Sequence, residues 1–101
     1  MTAPISDKAA IRQVIRALRA SDHKIYGGHD GEEEVTYFNA SEDDIIGDMT
    51  ACDSSKLYVT LPDGTEGWIL FVLGNEPFEV ICDHTTNLSD VLDPLAEAWE
   101  E

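Results

Sequence analysis

A chain of 101 residues has the length of one ordinary domain, and a hydrophobic fraction of 43% is enough to bury one core without disulfides or a metal. Its 21 acids against 6 bases leave a net charge of −15, and residues 25 to 101 hold 19 acids and one base, Lys56. That excess makes bare phosphate and an anionic membrane surface poor partners, and a basic protein surface a good one.

The first predicted element is a helix from Asp7 to Ala20, with Ser6 as its N-cap. Ile11, Val14, Ile15 and Leu18 fall at i, i+3, i+4 and i+7 and make one apolar stripe. Lys8, Arg12, Arg16 and Arg19 share another face, where they read as counter-charge for the acidic remainder or as a solvated helix face rather than as a contact for an anion. His23 to Tyr26 reads as a strand, Gly27, Gly28, Asp30 and Gly31 as the turn that ends it, and Val35 to Phe38 as a second short strand. Ser41-Glu42-Asp43-Asp44 is an acidic variant of the capping box, and the helix it opens is predicted to reach Ala51 with Ile45, Met49 and Cys52 along one side.

Lys56 to Leu61 alternates, with Leu57, Val59 and Leu61 on one face. Pro62-Asp63-Gly64 supplies a turn, since proline presets φ and glycine accepts a positive one. Gly67 to Leu73 is apolar almost throughout and predicts a central strand covered at least partly on both faces. Gly74-Asn75 reads as a second tight turn and Phe78 to Asp83 as a third strand, completing an antiparallel meander. Leu88, Val91, Leu92, Leu95 and Trp99 repeat at helical spacing, with Pro94 expected at the first position of a fresh helix capped by Asp93. The predicted fold is α+β: a small antiparallel sheet, the three-stranded meander plus one or two further strands, with helices packed on one main face. Ile11, Val14, Ile15, Leu18, Ile69, Phe71, Leu92 and Leu95 are the expected core.

Catalytic signatures are missing: there is no P-loop, nucleophile elbow, His-Glu-x-x-His or dinucleotide fingerprint. The glycines of Gly27-Gly28-His29-Asp30-Gly31 could cradle a phosphate, but Glu32, Glu33 and Glu34 beside them would repel it. Cys82 and His84 alternate on a strand but have no second Cys/His pair at zinc spacing, so Cys82 reads as a small core residue and His84 as a strand-end polar one. No metal, cofactor or catalytic residue is expected. Two cysteines without a framework spacing, no apolar leader and no run long enough to span a bilayer predict a cytoplasmic protein with reduced thiols.

The functional expectation is an acidic, non-catalytic binding protein. Its candidate contact residues are Glu32, Glu33, Glu34, Glu42, Asp43, Asp44, Asp48 and Asp53, a dense run with no base among them. The sharpest version is a nucleic-acid mimic that inhibits a basic nucleic-acid-binding protein, as anti-restriction and anti-CRISPR proteins of phages and plasmids do; the likeness is one of size and charge, not of motif. The alternative is a general interaction module, such as an immunity protein or a small regulatory subunit, with acidity serving solubility or salt adaptation. A mimic relies on salt-sensitive charge, a general module on an apolar hot spot.

Overall fold

The computed structural model describes residues 4–76 and 79–99. Along them run helix α1 (Asp7–Ala20), strands β1 (Lys24–His29) and β2 (Glu34–Thr36), helix α2 (Glu42–Met49), strands β3 (Ser54–Thr60), β4 (Glu66–Val72) and β5 (Ile81–His84), and helix α3 (Ser89–Trp99) after a 3-10 turn at Thr86–Leu88. The strands form one antiparallel sheet in the order β2-β1-β3-β4-β5, so the predicted meander is present with two further strands beside it. The fold is the α+β layer expected from the sequence.

Local chemistry sets the helix starts. The Ser6 hydroxyl accepts from the Ala9 N–H at 3.1 Å, and the Ser41 hydroxyl accepts from the Asp44 N–H at 3.1 Å. The stripe of α1 is fully buried at Ile11, Val14, Ile15 and Leu18. It meets Ile45, Ile46 and Met49 of α2, Leu92, Leu95 and Trp99 of α3, and the inward residues of the sheet, Leu57, Val59, Ile69 and Phe71, in one core. All eight expected core residues lie in it. At the β3–β4 connection the Gly64 N–H donates to the Leu61 carbonyl at 2.9 Å, and the Asp63 carboxylate accepts from the Thr65 N–H at 2.9 Å.

Five local expectations need correction. Gly27 and Gly28 lie inside β1 rather than in a turn, which is made by Asp30 to Glu33. The reason is close approach: a Cβ on Gly28 would overlap the Lys56 carbonyl and lie 3.1 Å from the Met49 methyl, so α2 rests directly on this strand. Helix α2 stops at Met49, and Cys52 is half-buried in the loop beyond it. The β4–β5 link is not a two-residue turn at Gly74-Asn75. The Leu73 N–H is taken by the Asp53 carbonyl at 2.8 Å, the Val72 N–H reaches the Val80 carbonyl at 2.9 Å, and β5 is described only from Ile81; Phe78, its expected first residue, lies outside the described residues. Pro94 is an interior residue of α3, not its start. Pro94 has no N–H to give the Asp90 carbonyl, and both residues are exposed. Finally, Cys82 is exposed, not a core residue: a register shift between Leu70 and Phe71 leaves it unpaired on β5.

The second face of β4 also departs from expectation. Ile69 and Phe71 are buried against the helices, while Trp68, Leu70 and Val72 on the other face are only half-buried, and no described element covers them.

Candidate functional site

The acidic run occupies two loops and a helix that the fold brings to one end. The Asp30 carboxylate accepts from the Glu32 and Glu33 N–H groups, both at 2.9 Å, and so shapes the β1–β2 loop; those two bonds hold its pKa below the usual carboxylate range. This loop lies against the α2–β3 loop at Cys52. The Cys52 thiol is pushed up by burial and then by the charges of Glu32, Asp30 and Asp53. The Tyr37 hydroxyl donates to Asp48 at 2.8 Å and is likewise pushed up, by burial first, then by that bond and by the charges of Asp48, Asp30 and Asp44. Asp30, which sequence reasoning did not include, therefore joins the Cys52 group to the Tyr37 group.

Of the eight predicted residues, Glu32, Glu33, Asp44 and Asp53 present exposed side chains at this end. Glu34 sits on β2 and accepts from the Tyr58 hydroxyl at 3.2 Å. Glu42 and Asp43 face the basic stripe: Arg12 contacts Glu42 at 3.0 Å and Asp43 at 2.7 Å, and Arg16 contacts Glu42 at 2.8 Å. Arg19 donates to the Ala40 carbonyl at 2.6 Å, so the stripe ties α1 to the start of α2.

That pairing has a pH signature. The bond from Arg16, followed by that from Arg12, holds the Glu42 carboxyl below its usual range against the opposing effect of desolvation. A carboxylate lowered on folding stabilises fully above its unfolded pKa and loses that contribution as pH falls through the folded one. Glu42→Gln should therefore melt below the wild type at neutral pH, and the gap should close as pH drops below about 4. A gap independent of pH, read from thermal melts across that range, would show that the charge is not what matters.

The uncovered sheet face is the feature that sequence reasoning missed. It presents Glu34 of β2, Tyr26 and His29 of β1, Lys56 and Tyr58 of β3, and Glu66, Trp68, Leu70 and Val72 of β4. A bulge between Ile25 and Gly27 turns Tyr26 outward, its ring centroid 6.0 Å from that of Tyr58 with planes tilted by 37°. The Lys56 ammonium lies 4.8 Å from the Trp68 ring centroid. Burial, then the carboxylates of Glu66 and Glu34, raise the Tyr26 hydroxyl above its usual range; burial, then Glu34, raise that of Tyr58. A depression of about 340 Å³, lined by His29, Gly31, Ser54, Lys56, Tyr58 and Leu70 among others, joins this face to the acidic end. A signal was present in the sequence: β4 is apolar on both alternations, yet the chain has helices enough for only one face.

Among the described residues no three His, Cys, Asp or Glu side chains converge as a metal site, and no helix is long and apolar enough to cross a membrane. His84 lies at the end of β5 with Nε2 3.9 Å from Asp93. Comparison with protein-family models, with curated proteins and with solved structures returns no match to this chain.

Proposed function

We propose that the protein is a non-catalytic binding domain whose partner is a basic protein surface. The observation that carries this reading is the uncovered sheet face, where Tyr26 is exposed, Tyr58, Trp68, Leu70 and Val72 are half-buried, and Glu34 and Glu66 are exposed on the same face. A half-apolar aromatic surface with a charged rim is the anatomy of a protein interface, in which the rings supply affinity and the rim supplies orientation and on-rate. The acidic end beside it extends the negative field and steers a basic partner in. Glu42 and Asp43 are engaged by arginines of the same chain, which thins the carboxylate array that a nucleic-acid mimic would need and favours the general interaction module.

The test uses Glu32, Glu33, Asp44 and Asp53, four exposed acids whose side chains make no hydrogen bond or ion pair among the described residues. A variant carrying Glu32→Gln, Glu33→Gln, Asp44→Asn and Asp53→Asn should retain the wild-type fold by circular dichroism. Its affinity for the protein captured from host lysate should fall about tenfold at low salt, and the difference should shrink as salt rises. Equal affinities would reduce these acids to solubility or salt adaptation. Displacement of the wild type from its partner by a DNA or RNA oligomer would restore the mimic.

A further inference from the structure

We propose that the depression between Tyr26, Tyr58 and Trp68 receives an arginine side chain of the partner. This rests on the reading of the protein as a binding domain for a basic surface and adds the contact chemistry. The depression measures about 410 Å³ and is lined by Tyr26, Tyr58, Glu66, Gly67, Trp68 and Thr85. Three aromatic side chains around one hollow offer π faces, which attract a cation through the ring quadrupole. Glu66 adds a carboxylate at the same hollow, and Glu34 stands on the far side of the tyrosine pair, against the Tyr58 hydroxyl. Lys56, whose ammonium lies over the Trp68 ring, shows that a cation is accommodated on this face.

The choice of arginine follows from what the hollow offers together. A guanidinium stacks its plane on a ring and still donates N–H bonds in that plane to a carboxylate. A lysine ammonium is compact and strongly hydrated and loses more on entering. A quaternary ammonium has no N–H for Glu66. A nucleobase would stack on the same rings, but its phosphates would meet Glu34, Glu66 and a net charge of −15. Lys56 has the same sign as the incoming arginine and competes for the same ring, so it restrains affinity.

The experiment titrates the full chain with a twelve-residue glycine-serine peptide bearing three arginines, and with matched peptides bearing lysine, trimethyl-lysine or citrulline. Affinities are measured by isothermal titration calorimetry, and the indole resonance of Trp68 locates the site in every chain that keeps it; that of Trp99, buried and donating to Gln13 at 2.9 Å, is the internal reference. The arginine peptide should bind about fivefold more tightly than the lysine peptide, and citrulline should abolish binding. Trp68→Leu and Tyr58→Leu keep apolar bulk but remove the π face, and each should cost about fivefold. Glu66→Gln should erase most of the preference for arginine over lysine. Lys56→Met should strengthen arginine binding by about twofold or more, a gain that loss of folding cannot imitate.

Equal affinity for arginine and lysine peptides, lowered alike by the four-acid neutralised variant and untouched by the ring variants, would sink this site and leave the binding domain standing. No affinity for any cationic peptide at low salt would sink both. Tighter binding of trimethyl-lysine, or of a single-stranded oligonucleotide, would overturn the assignment to arginine.

Discussion

Phe71→Ala is expected to lower the free energy of unfolding by about 3–5 kcal/mol in urea denaturation. The side chain is fully buried, on the strand flanked by β3 and β5, and pairs across the sheet with Ser55 and Ile81. It meets the stripes of the helices in the one core, so truncation removes a large apolar transfer term and leaves a cavity that close-packed neighbours fill only in part. Leu70→Ala, one residue earlier and half-buried on the opposite face, has no core around it and should cost about 1 kcal/mol or less. The contrast matters more than either value. Because strand side chains alternate strictly, Phe71 inside and Trp68, Leu70 and Val72 outside are one statement about the sheet. A loss below about 1 kcal/mol at Phe71, or a larger one at Leu70, would reverse the faces and take the proposed binding surface with them.

Sheet and helices were readable wherever one residue pattern had one structural solution. The stripe of α1 and the serine before it specify a capped amphipathic helix, and the observed span from Asp7 to Ala20 is the predicted one. Proline, aspartate and glycine between two apolar runs specify the β3–β4 turn. The failures fall where two solutions share a pattern. Consecutive glycines mark a turn or a strand under close contact, and only the position of Met49 above Gly28 distinguishes them. Pro94 was expected to open a fresh helix because its ring clashes with the preceding turn; it is instead an exposed interior residue of α3.

The candidate site was legible in its charge and not in its shape. The acidic run from Glu32 to Asp53 is visible as composition, but composition does not show that Arg12 reaches Glu42 and Asp43, and Arg16 reaches Glu42, across separations of 26 to 31 positions. The aromatic face was hidden for a related reason. Tyr26, Tyr58 and Trp68 come from three separate strands and gather only through register: Tyr58 faces Trp68 directly, and the bulge at Tyr26 places its ring beside that of Tyr58. A half-exposed tryptophan in an apolar strand reads as core until the helices are counted.

Gly31→Ala should destabilise the protein by about 2–5 kcal/mol. Two independent costs combine. Gly31 has φ of +107°, where an L-residue is strained by about 1–3 kcal/mol. A Cβ there would also overlap that of Cys52 and lie 2.8 Å from the Ser54 carbonyl, an overpacking that costs about as much again. The loop has little freedom to yield, because the Asp30 carboxylate accepts from the Glu32 and Glu33 N–H groups and the Asp30 N–H donates to the Glu33 carbonyl at 3.0 Å. Adding Cys52→Gly to the variant separates the terms: it removes the clash with the cysteine side chain, leaves the strained φ and the Ser54 carbonyl, and should recover less than half of the loss in urea denaturation. The functional consequence follows from the same contact. Gly31 is where the loop bearing Glu32 and Glu33 rests on the loop bearing Asp53, so the side chain that destabilises the fold also separates the carboxylates that the proposed partner meets together. Under conditions where the variant remains folded, its affinity for the basic partner should fall although no charge has changed. A destabilisation below about 1 kcal/mol with affinity intact would show that the loops repack freely and that the acidic end has no fixed geometry to recognise.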